Sequence, residues 1–123
     1  MPVVIFEGWC VGARPQPESA LETPINLLER DEDSDGRWRH WVNGQLAGVH
    51  QRLFSRIGLL VLMTAPDFSV VAGWRKQQEA ALPSRLLAQG KSIDGTMGEC
   101  EIDRFVDHYQ RLTEYILVEM RRT

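Results

Sequence analysis

The sequence predicts an α/β chain with two parallel strands and predominantly helical content, and three segments carry that expectation. Val3-Val4-Ile5-Phe6 and Leu59-Leu60-Val61-Leu62-Met63 are unbroken apolar runs with no solvent face, the pattern of a strand covered on both sides. Between them, Trp38, Trp41, Val42, Leu46, Val49 and Leu53 recur at three- and four-residue steps, with Arg39, His40, Asn43, Gln51 and Arg52 largely between them. That spacing predicts an amphipathic helix over residues 37–55. Strand, helix and strand together make a right-handed crossover unit. With 123 residues, 43% of them hydrophobic and 25% charged, the chain has the composition of one globular domain with a real core.

The first run ends at Glu7-Gly8-Trp9, and the carboxyl end of a parallel strand is where open α/β sheets bind ligands. Pro15, Pro17 and Ser19 make residues 12–21 an irregular loop across that end. Thr23 and Pro24 predict a short helix through Leu28, with Thr23 as its cap and proline at its first position. The almost wholly charged stretch 29–36 reads as a surface turn. After the second run stops at Ala65-Pro66-Asp67, the positions Val70, Val71, Trp74, Gln78, Ala81 and Leu82 predict another helix, ended or kinked by Pro83. Gly90, Gly95 and Gly98 interrupt the polar stretch 85–98 and mark it as mobile, so residues of about 74–98 read as a lid-like segment. Ile102, Phe105, Val106, Tyr109, Leu112, Ile116, Leu117 and Met120 form the apolar stripe of a last helix. Its acids Glu99, Glu101 and Asp103 and its bases Arg121 and Arg122 stand at the ends the helix dipole favours.

Several function classes are disfavoured. The net charge is −3 and the 14 basic residues are interspersed with acids, so nucleic acid is not an expected partner. The longest apolar stretch, 57–65, falls far short of the roughly 18 residues that span a bilayer, and the N-terminus lacks a leader pattern, so no membrane association and a cytoplasmic location are expected. Cys10 and Cys100 suit two reduced thiols, with one bridge left open, and His40, His50 and His108 lack the close Cys/His pairing of zinc sites. The segment 31–36 imitates the first half of a calcium loop, but Val42 stands where the bidentate glutamate belongs, so it reads as a solvated acidic turn.

Four positions invite chemistry. Glu7, at the strand end, is either a structural ion-pair partner of Arg14 or Arg75, or a group that orients a magnesium-bound water near phosphates. Arg75 and Arg85 flank the helix that leads into the glycine-spaced segment, either as simple exposed arginines or as groups that reach over a bound phosphate. Trp38, Trp41 and Trp74 are expected in the core by their helical spacing, and Trp9 near a pocket.

A larger pattern joins these pieces. The ordered set Val3-Val4-Ile5-Phe6-Glu7-Gly8-Trp9-Cys10-Val11-Gly12, Leu28-Glu29-Arg30-Asp31, Trp38-Arg39, Val42-Asn43, Trp74-Arg75, Gln78-Glu79 and Phe105-Val106-Asp107-His108-Tyr109-Gln110-Arg111-Leu112-Thr113 resembles the C-terminal half of bacterial and plant-type D-glycerate 3-kinases. These are P-loop kinases related to phosphoribulokinase and uridine kinase. The resemblance implies part of a three-layer α/β P-loop fold and a transferase that moves the ATP γ-phosphoryl group to glycerate or a similar small hydroxy acid, with Mg2+ and ATP as cofactors. Under it, Glu7 matches the acid that ends the Walker B strand, catalytic and metal-binding, and Arg75 neutralises charge on the transferring phosphoryl group. Gly8, Trp9, Arg14 and Gln78 fall at substrate-side positions, where the Arg14 guanidinium suits a carboxylate, and Arg85 falls on the nucleotide side.

One departure stands out: the chain nowhere contains Gly-x-x-x-x-Gly-Lys-[Ser/Thr], the phosphate-cradling loop. In the family, that loop and its strand precede the segment matched here, and a last strand follows it. The expectation is therefore a kinase-like chain inactive on its own, which holds neither Mg2+ nor ATP tightly. The strand that carries the loop lies between the two runs retained here, so its absence predicts exposed edges and a homo-oligomer or a complementing chain. The alternatives are a non-catalytic self-associating or partner-binding protein, or one half of a split kinase.

Overall fold

The structure is a computed structural model and describes residues 1–122. It divides into two compact units, Met1–Met63 with the chain from Tyr115 onward, and Thr64–Glu114. Its elements are helical: α1 (Leu27–Glu32), α2 (Arg37–Gln45), α3 (Gln51–Phe54), α4 (Ser69–Ala88) and α5 (Glu99–Glu119).

The α/β expectation is corrected here, because no strand forms among the described residues. A strand is defined by a ladder of backbone hydrogen bonds to a neighbour, and residues 3–6 and 59–63 take part in none. Most of their side chains are left in solvent, with Ile5 88% and Met63 92% exposed. The apolar runs are therefore present as strand-like sequence without a sheet.

In the first unit, α2 and α3 form one continuous helical rod with a π-helical turn, Leu46–His50, between them. The predicted length over residues 37–55 agrees closely with this. The predicted inner face does not, since Trp38 is 64% and Trp41 58% exposed and the two rings stack at 5.8 Å, while Arg39 and Asn43 are buried beside Leu46. The physical reason is the segment 13–22, which crosses this helix with no ladder of its own. Buried main-chain carbonyls need donors, and polar side chains on this helix and on α5 supply them.

Four side chains do so. Arg39 Nε donates to the Leu21 carbonyl at 2.6 Å and its Nη2 to that of Glu22 at 3.4 Å. Asn43 holds both the N–H and the C=O of Gln16, Gln51 Nε2 donates to the Ala13 carbonyl at 2.7 Å, and the Tyr115 hydroxyl donates to the Pro15 carbonyl at 3.2 Å. Ala13 and Leu21 are fully buried within the segment and contribute to the core with Leu46 and Ile116. A 3-10 turn, Glu18–Leu21, lies between the held carbonyls.

Two local expectations shift. The first helix is capped by Asn26, whose side chain accepts the Glu29 N–H at 2.9 Å, so it begins three residues after Pro24 and runs through Glu32 into what the charge pattern reads as turn. Asp33, expected on the surface, is buried: its carboxylate accepts the N–H groups of Trp38 and Arg39 and pairs with the Arg39 guanidinium at 3.1 Å. It caps α2 in place of Gly36, which has no side chain and sits at φ 71°.

In the second unit, α4 continues through Pro83 for a further five residues. It then closes in a Schellman arrangement, with Gly90 at φ 68°, its N–H on the Leu87 carbonyl and the Lys91 N–H on that of Leu86. Trp74 is 54% exposed rather than in the core. Of the predicted α5 stripe, Ile102, Val106 and Leu112 in this unit and Ile116 in the first are buried, Tyr109, Leu117 and Met120 are half-buried, and Phe105 is exposed. Both cysteines are free thiols, and burial pushes the Cys10 thiol above its ordinary range.

Candidate functional site

The residues singled out by sequence fall into two groups, one in each unit. In the first unit the chain reaches Glu7 without regular secondary structure, then turns at residues 9–12, where the Ala13 N–H meets the Cys10 carbonyl at 3.0 Å. Gly8 is tight against Val11: a Cβ there would stand 3.1 Å from Val11 Cγ2. Gly12 completes the turn at φ 83° with Leu60 and Met120 packed over it. Glu7 is exposed and enters no ion pair among the described residues, and Trp9 beside it is 49% exposed. Of the ion-pair alternatives for Glu7, the one with Arg14 is not formed, since Arg14 instead approaches Glu119 at 3.8 Å. Arg14 keeps most of its side chain in solvent, where such a contact contributes little.

In the second unit Arg75 is the most constrained of the candidates. Its Nη1 donates to Gln78 Oε1 at 2.7 Å and its Nη2 to Glu79 Oε1 at 2.6 Å. The guanidinium carbon lies 5.2 Å from the centre of the Phe105 ring, in cation–π range. Nε is buried without a hydrogen-bond partner. Next to it, Lys76 pairs with Asp103 at 2.9 Å, and that hydrogen bond holds the ammonium pKa above its ordinary value. Arg75 and Gln78 are thus brought together by their three-residue spacing on α4. Arg85 stands exposed in the last turn of the same helix.

Among the described residues no group of three or more histidines, cysteines or acids could hold a metal ion. Glu7 supplies one exposed carboxylate. Mg2+ is commonly bound by one or two carboxylates together with substrate phosphates, so Glu7 fits it only as part of a nucleotide-bound set.

Sequence reasoning missed Glu79, a carboxylate with only 6% of its side chain exposed. The available signal is its position four residues after Arg75 on the same helical face. It likewise missed Asp33, Arg39 and Asn43, although Arg39, Asn43 and Leu46 share one face at steps of four and three.

The chain is 35% identical over 112 residues to an uncharacterized kinase, mug58, of Schizosaccharomyces pombe; the match takes in 86% of this chain and 35% of that protein. The chain therefore spans about a third of the length of the curated relative it matches. No family model matches, and no solved structure matches. No described helix is long and apolar enough to cross a membrane.

Proposed function

We propose that this chain contributes to an ATP-dependent small-molecule kinase whose phosphoryl acceptor is glycerate or a similar small hydroxy acid, and that it is inactive when alone. The observation that carries the reading is the 35% identity, sustained over 86% of the chain, to a protein named as a kinase. The ordered motifs quoted above supply the acceptor class. In this reading Glu7 stands on the metal and catalytic side, Arg75 meets the transferring phosphoryl group and Arg85 the nucleotide phosphates. Gly8, Trp9, Arg14 and Gln78 face the acceptor, with Arg14 clamping its carboxylate through two hydrogen bonds. The sequence lacks the phosphate-cradling Gly-x-x-x-x-Gly-Lys motif, which supports inactivity of the isolated chain.

Heteronuclear NMR tests this. Millimolar Mg2+-ATP should perturb Glu7 and Arg75, glycerate should perturb Trp9 and Arg14, and no phosphoryl transfer should accompany either. Silence at all four residues, or shifts that survive Arg14→Ala and Arg75→Ala unchanged, would defeat the reading.

A second reading, a non-catalytic chain that binds itself or a partner, is favoured by a different observation. Val3, Val4 and Ile5, Leu59 and Met63, and Trp38 and Trp41 all expose apolar surface on the first unit. Large exposed apolar side chains gathered in one unit are the raw material of interaction surfaces. Sedimentation velocity separates this reading from a lone monomer: concentration-dependent association supports it, and a sharp monomer boundary at several hundred micromolar opposes it.

A further inference from the structure

We infer that Glu79 is a positioning residue, which orients the Arg75 guanidinium towards an oxyanion of a phosphorylated ligand. This rests on the reading of Arg75 as a phosphate-contacting group and adds the device that aims it.

The geometry begins with burial. The Glu79 side chain is only 6% exposed, while that of Arg75 is 31% exposed, so the carboxylate lies inside and the guanidinium spans from interior to surface. Glu79 Oε1 holds Nη2 at 2.6 Å, and its Oε2 lies 3.5 Å from the Met97 N–H, in the glycine-spaced segment before α5. From α5 itself, Phe105 presents its ring to the guanidinium at 5.2 Å. Three elements thus bear on Arg75: its own helix through Glu79, the 89–98 connection through Met97, and α5 through Phe105.

Stability alone is a weak explanation of this arrangement. Burying a carboxylate and a guanidinium together costs desolvation that their attraction roughly offsets. The order along the helix, base before acid at four residues' distance, is also the less favourable one. The pair leaves Nε buried without a partner, a further cost. What the arrangement does supply is direction. With Nη2 fixed from inside and one face against Phe105, the guanidinium has a single outward edge, Nη1, which is satisfied by the exposed Gln78 side chain. A phosphate oxygen displacing Gln78 Oε1 meets a guanidinium already held in place, without the cost of ordering a free arginine. The ligand class that suits this edge is a phosphate or polyphosphate oxyanion.

The test uses tripolyphosphate as probe and the Arg75 Nε–Hε NMR resonance as readout. In the wild-type chain the resonance should be sharp before any addition and should shift with saturation as probe is added. Glu79→Gln should broaden it in the free protein and weaken the Arg75 response by about tenfold, whereas Glu79→Asp should restore part of both effects. Phe105→Leu, which removes the platform without leaving a buried charge, should weaken the response in the same direction and decides the matter if Glu79→Gln does not fold. Unchanged affinity in folded Glu79→Gln, or in Phe105→Leu if that variant must decide, overturns the positioning role while leaving phosphate contact by Arg75 intact. A wild-type resonance that ignores tripolyphosphate overturns both, and the two failures are told apart by which protein is silent.

Discussion

Asn43 grips Gln16 by its main chain alone: Oδ1 accepts the Gln16 N–H at 2.7 Å while Nδ2 donates to the Gln16 carbonyl at 3.0 Å. A primary amide matches a peptide group in this two-bond fashion, and no other side chain of its size carries the donor and acceptor side by side. Asn43→Ala should lower stability by about 1 to 3 kcal/mol, since both Gln16 groups lose their partner in a half-buried site. Asn43→Asp should be at least as damaging at neutral pH, because a carboxylate faces the Gln16 carbonyl. Urea midpoints of the two variants check both statements; an alanine variant at the wild-type midpoint would contradict the first.

Arg39 is the second clamp, buried and bonded at once to Asp33 and to the carbonyls of Leu21 and Glu22. Arg39→Met nearly keeps the side-chain volume and removes every side-chain donor, so buried Asp33 keeps its two backbone N–H partners but loses its cation. The expected cost is about 3 to 5 kcal/mol, read as a large fall in thermal midpoint. The same change at exposed Arg52 should leave that midpoint nearly where it was.

Gly12 turns the chain at φ 83° directly beneath Leu60, where a Cβ would come within 2.9 Å of Leu60 Cδ2. Gly12→Ala combines a left-handed backbone, a cost of about 1 to 2 kcal/mol for an L-residue, with displacement of the leucine. Gly44→Ala, on the open face of α2, meets nothing within 4 Å and should be neutral or mildly stabilising. Paired thermal melts give the contrast.

Asp67 caps the start of α4 by accepting the side-chain hydroxyl of Ser69 and, at 2.8 Å, the Ser69 N–H. These bonds hold its pKa below the ordinary carboxylate value, the Ser69 hydroxyl first among them. A carboxyl whose folded pKa is depressed contributes stability above its unfolded pKa and loses it as pH falls through the folded value. The cap should therefore loosen only below the usual aspartate range. Ser69→Ala should move the Asp67 titration, followed by NMR at its carboxyl carbon, back towards that range.

Legibility in the sequence followed the kind of force involved. Helices α4 and α5 were readable, because their signals are local: periodic apolar positions and acids in the first turn of α5. The joined rod of α2 and α3 was readable in length and wrong in orientation, since which face turns inward depends on the segment 13–22, whose carbonyls draw in Arg39 and Asn43. Residues 3–6 and 59–63 have strand composition, but a strand requires a neighbour and periodicity does not say whether one is present. At the candidate site, the contact of Arg75 with Gln78 follows from their three-residue spacing on α4, a local signal that the reading of single residues passed over. Glu79 also meets the Met97 N–H, 18 positions farther along, and Arg75 the Phe105 ring, 30 positions farther along, and no local pattern encodes either contact.

The segment 13–22 is held almost wholly through its peptide groups, by Arg39, Asn43, Gln51 and Tyr115. Recognition of that sort is blind to most of the letters in the segment itself. Apart from Ala13 and Leu21, which are fully buried, and Arg14, to which the proposed function gives a ligand, its positions are open to drift over evolutionary time. The constraint on its shape is written elsewhere in the chain, in four residues that read a path and not a sequence.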